Sequence, residues 1–140
     1  DPASYAERVL TLYAPVTGTV ASLPGGDGLA VVAAPGPQQV AAPTRGVVTD
    51  SDAARVTLTD LQDRIVEVRV EADRGGVTPL VATGDPIRFD QPLFAWDGSG
   101  TLRVLVTSPG AVDVLPHVEP LHEVAAGADL FSVGPFSCGA

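Results

Sequence analysis

Short apolar stretches recur along the chain, each closed by glycine, proline or aspartate, and the clearest of them lie within residues 42–70. From Arg55 to Thr59, Val56 and Leu58 alternate with Arg55, Thr57 and Thr59. Over residues 65–70, Val66, Val68 and Val70 alternate with Ile65, Glu67 and Arg69. A period of two sends successive side chains to opposite faces, so both segments predict half-buried strands. Residues 59–64 connect them. Antiparallel pairing then buries the Val/Leu faces together and sets Arg55 and Thr57 near Glu67 and Arg69 on the outer face. Further strands are predicted over residues 9–13, 19–23, 29–33, 39–41, 45–49, 93–96 and 102–107, separated by turns such as Pro24-Gly25-Gly26-Asp27-Gly28 and Ser108-Pro109-Gly110.

The turns repeat. Ala14, Pro15, Gly18 and Val20 spell A-P-x-x-G-x-V, and Ala42, Pro43, Gly46 and Val48 spell it again 28 residues later. Proline presets its own φ, and Gly18 is free to take a positive one. The same spacing matches the run from Leu29 with the strand around Val56 and Leu58. Residues 90–94 are echoed more weakly by residues 127–131. A helical period is best sustained over residues 120–126, for about two turns, so little helix is expected. Many short strands in duplicated halves predict an all-β fold, an antiparallel sandwich or barrel whose halves cover each other's sheet edges.

Composition changes the picture mainly through charge. Seventeen acidic residues against eight basic ones give −9, and every basic residue is arginine. So acidic a chain repels phosphate backbones and anionic lipid, which disfavours nucleic acid and membrane surfaces and favours a protein partner with basic groups. No stretch has the length of a membrane helix, so the chain reads as soluble and unexported. The single cysteine, Cys138, forms no internal disulfide and fits a reducing cytoplasm. The expected organisation is an arm over residues 1–9, one β-domain over 10–133 and a flexible tail over 134–140.

The order A-P-V-T-G-T-V (14–20), G-D-G-L-A-V (26–31), V-A-A-P-T-R-G-V-V (40–48), I-V-E-V-R-V (65–70) and G-D-P-I-R-F-D-Q-P-L-F-A-W-D (84–97) resembles the glucose-type IIA phosphocarrier domain of the bacterial sugar phosphotransferase system. The resemblance covers about residues 10–133 and implies the duplicated hybrid motif, an all-β sandwich or barrel. Members of that family carry a phosphoryl group on one histidine and support it with a second on a neighbouring strand. Here the first position aligns with Ala54 and the second with Arg69, so both histidines are missing. Alanine has no nucleophilic lone pair, and a guanidinium stays protonated. The segment between Val20 and Gly28 is also shorter than the family's partner-contacting loop.

These readings lead to a non-catalytic, protein-binding or regulatory module whose interaction face holds Arg55, Thr57, Glu67 and Arg69, with no cofactor. Asp52 reads as a turn-forming aspartate, with mimicry of a phosphoryl charge as the sharper alternative. Two other functions stand beside this one. The first is an active phosphocarrier using His117 or His122. The second is a scaffold or recognition leader that presents Cys138 for modification. His117 and His122, with Glu119 and Glu123, fit no metal-binding spacing: neither a His-x-His pair nor H-E-x-x-H is present, and Pro116 and Pro120 argue against the helix that the latter needs. They read as surface or turn histidines.

Overall fold

The structure, a computed structural model, describes residues 9–111 and 113–134. Fourteen strands and no helix occur among the described residues. They are β1 (Leu10–Tyr13), β2 (Gly18–Ser22), β3 (Gly28–Ala33), β4 (Gln38–Ala41), β5 (Gly46–Ser51), β6 (Arg55–Thr59), β7 (Ile65–Ala72), β8 (Val77–Pro79), β9 (Pro86–Ile87), β10 (Pro92–Trp96), β11 (Leu102–Thr107), β12 (Val114–Pro116), β13 (Glu123–Val124) and β14 (Asp129–Val133).

All pairings are antiparallel. An eight-stranded sheet runs β13-β2-β3-β11-β7-β6-β5-β9, and two three-stranded sheets run β1-β14-β12 and β4-β10-β8. Alternation decides which residues face inward. Val56, Leu58, Val66, Val68, Leu102, Val104 and Val106 are wholly buried, and they join Leu12, Phe94, Leu130 and Phe131 of the smaller sheets in one hydrophobic cluster. Each such side chain contributes about 1.5–3 kcal/mol by leaving water.

The strand orders are palindromes under the internal repeat. β1, β2 and β3 correspond to β4, β5 and β6, while β7 to β10 correspond to β11 to β14. The loops obey the same pseudo-dyad in atomic detail. Tyr13 N donates to Pro43 O and Ala41 N to Pro15 O. Val48 N donates to Asp85 O and Val20 N to His122 O. Leu80 N donates to Leu93 O and His117 N to Leu130 O. The weak echo between residues 90–94 and 127–131 is thus a full structural repeat, β10 with β14.

The repeated glycines serve a purpose other than positive φ, which neither Gly18 nor Gly46 adopts. A Cβ at either would fall on a carbonyl oxygen of the neighbouring strand, that of Val32 or of Thr59. Close strand approach therefore requires glycine. The segment 120–126 is a turn followed by β13, with Leu121 at φ 73°, so its apolar spacing is not helical. Four short strands, β8, β9, β12 and β13, stand where no strand is predicted, and β5 runs on to Ser51 past a bulge between Val48 and Asp50.

Candidate functional site

The hairpin of β6 and β7 positions the site. Its turn is built on Asp60, whose Oδ1 accepts from Gln62 N at 2.8 Å and Arg64 N at 2.9 Å, while Oδ2 accepts from Arg64 Nε at 2.9 Å. That turn fixes the register in which Arg55 lies opposite Arg69 and Thr57 opposite Glu67. The four predicted face residues are therefore brought together on the outer side of the eight-stranded sheet. Ala54 joins them from the bend before β6, where its carbonyl accepts from Val70 N at 2.8 Å. A shallow cleft of about 330 Å³ is lined by Asp52, Ala54, Arg55, Arg69 and Val70.

Two guanidiniums directly opposite one another repel, so the face must neutralise them. Arg55 Nη2 donates to Asp50 Oδ2 at 2.7 Å and lies 3.8 Å from Asp52 Oδ2; Arg69 Nη2 donates to Glu67 Oε1 at 3.1 Å. Two cations meet three carboxylates, so both guanidiniums are paired and the face keeps one negative charge in excess. Arg55 Nε is enclosed and has no hydrogen-bond partner. Asp52 also shapes the bend, accepting from Ala54 N at 2.8 Å, as its reading as a turn residue expects.

Sequence reasoning missed three contributors. Asp50 reaches Arg55 because of the β5 bulge, which carries no apolar signature. Leu105 and Arg103 of β11 enter through pairing alone: Leu105 stands opposite Arg69, and Arg103 stands opposite Glu71 and bonds it at 3.2 Å. Only the sheet order reveals that neighbourhood.

The pseudo-dyad supplies an internal control. In the other half, Ser108 N donates to Asp27 O at 2.9 Å, the counterpart of the Val70 to Ala54 bond. The strand pair beside it there holds Gly28 opposite Thr107, where this site holds Arg55 opposite Arg69. The same backbone frame holds no opposed pair of charged residues in one half and two opposed arginines in the other, so that charged pair is not a requirement of the fold.

The two histidines lie elsewhere. His117 Nε2 is 2.7 Å from Ser132 Oγ, which in turn is 2.9 Å from Thr11 Oγ1, on the β1-β14-β12 sheet. His122 precedes β13 and sits 3.9 Å from Glu119. β13 is four ladder spacings from β7, about 19 Å at ordinary strand separation. No group of three metal-ligating side chains occurs among the described residues. No helix among them is long and apolar enough to cross a membrane. Cys138 lies outside the described residues.

Neither a family profile nor a curated protein matches the sequence. Among solved structures, the chain is similar to the glucose permease IIA from Mycoplasma capricolum, with a TM-score of 0.70 at 16% identity over 89% of this chain and 96% of that one. At that identity the likeness concerns the fold. This chain is an all-β, antiparallel protein with the fold seen in glucose permease IIA.

Proposed function

We propose that the chain is a non-catalytic recognition module built on the glucose-IIA fold, linked to sugar phosphotransferase transport and working in the cytoplasm. It reads a protein partner through the face of Arg55, Thr57, Glu67 and Arg69. One observation carries this reading: the frame brings Ala54 and Arg69 together at the lip of a surface cleft, and neither side chain offers the lone pair that phosphoryl transfer needs. Phosphoryl transfer through His117 or His122 finds little support, since His117 is hydrogen-bonded to Ser132 in a different sheet and His122 stands at the far edge of the large one.

What the face does offer is recognition. Its ion pairs are half-exposed, so each contributes at most about 1 kcal/mol to folding. Their arrangement presents fixed donors and acceptors at known register, with Thr57 opposite Glu67 and Leu105 flanking Arg69 on β11, which favours specificity over raw affinity. Titration calorimetry with the general phosphotransferase proteins and sugar-transporter domains tests the reading. Binding to one of them should weaken by about tenfold or more in Arg69→Glu. A partner bound equally well by the wild type and by the Arg55→Glu/Arg69→Glu variant would overturn it.

A further inference from the structure

We propose a second protein-docking site in the groove beside β13, one that takes a segment presenting an apolar side chain flanked by lysine or arginine. This groove is independent of the arginine face: β13, β2 and β3 form one end of the eight-stranded sheet, whereas Arg55 and Arg69 stand on β6 and β7. It encloses about 440 Å³ and is lined by Thr17, Thr19, Val32, Ala33, Pro35 and Glu123, among others. Its walls are already tied together, because Ala34 N donates to Thr17 O at 2.8 Å and Ala126 N to Thr17 Oγ1 at 3.0 Å.

Two further observations point to an occupant. Leu121, on the turn leading to Glu123, combines φ 73° with 85% exposure. The matching turn of the other half has Gly84, at φ 97°, where such backbone is free of strain. Leu121 lies two residues before Glu123 and outside the groove's lining, so it offers an exposed apolar contact to the end of a docked segment rather than a wall of the groove. The charge pattern then selects the partner. Residues 9–44 and 104–134 contain Asp27, Asp113, Glu119, Glu123 and Asp129 but neither arginine nor lysine. The nearest cation across the sheet, Arg103 opposite Val32, is held by Glu71 at 3.2 Å. Glu119 is 85% exposed and lies 3.9 Å from His122. Glu123 is the one charged residue in the groove's lining, so a basic segment is attracted there, whereas a second copy of a chain with charge −9 is repelled.

Nuclear magnetic resonance titration of the labelled full chain with a short synthetic peptide of alternating leucines and lysines tests the proposal. The amides of Thr17, Thr19, Ala33 and Glu123 should shift, and binding should weaken several-fold between about 50 and about 500 mM salt. Glu123→Gln should weaken it further, and Leu121→Gly should weaken it by about tenfold while the remaining cross-peaks keep their positions. Equal binding of the same peptide with glutamates for lysines would overturn the charge argument. So would shifts confined to the Arg55 and Arg69 face. Sedimentation showing a dimer whose interface maps to this groove would make a second copy the occupant and refute the basic-partner assignment.

Discussion

Replacing Leu121 by glycine should stabilise this protein, although it deletes a large apolar side chain. Left-handed backbone costs an L-residue roughly 1–2 kcal/mol, and Leu121 adopts φ 73°. Glycine removes that cost but gives back about 0.5–1 kcal/mol through the greater freedom of its unfolded chain. The deleted side chain is 85% exposed, so almost no burial is lost. The balance is a gain of about 0.5–1 kcal/mol, or about 2–4 °C in Tm for a chain of this length. The pseudo-dyad provides the reverse experiment. Gly84 occupies the matching turn at φ 97°, with no atom within 4 Å of where its Cβ would lie. Gly84→Leu should therefore lose about the same net 0.5–1 kcal/mol, its backbone strain being partly offset by the smaller conformational freedom of its unfolded chain. Urea denaturation of both variants and of the exchange double variant measures these terms, and the double variant should return close to wild type. A destabilised Leu121→Gly would refute the reasoning, because it would mean that Leu121 contributes packing or that the two turns are not equivalent.

Asp60→Ala should lower stability by about 2–3 kcal/mol, since the nearly buried carboxylate accepts three hydrogen bonds that fix the β6–β7 turn; the urea midpoint reports it. Gly46→Val should cost about 3 kcal/mol or more, because its Cβ meets main chain at Thr59 and Asp60 and not a movable side chain; thermal unfolding checks this. Asp97 is held below the ordinary carboxylate range first by the Ser99 hydroxyl at 2.6 Å and then by Ser99 N at 2.8 Å. A depressed folded-state pKa adds stability above the unfolded value, about 4, and this contribution is lost as pH falls through the folded one. Ser99→Ala should raise the Asp97 pKa in a carboxyl resonance titration and shrink that acid-side loss.

How much of this was legible in the sequence depends on the length of each signal. β6, β7 and β11 alternate over five or more residues, so their faces and even the Arg55, Thr57, Glu67 and Arg69 neighbourhood could be read directly. β9 and β13 have two residues each, too few to define a period, and β8 and β12 have three and end in proline. They pair because the dyad-related loops hold them in place. The A-P-x-x-G-x-V repeat announced the duplication, but its glycine answers to a carbonyl on a neighbouring strand, a contact that no local pattern contains. Asp50 and Arg103 escaped for a similar reason, one hidden by a bulge and the other by strand order.

The central claim is recognition without phosphoryl transfer, and one measurement reaches it directly. The full chain is incubated with phosphoenolpyruvate and the two general phosphotransferase proteins, and its intact mass is recorded under conditions that preserve phosphohistidine. The account predicts an unchanged mass, because Ala54 and Arg69 supply no acceptor and His117 and His122 stand apart from the cleft. A stoichiometric gain of one phosphoryl group that disappears in His117→Ala or His122→Ala would contradict it.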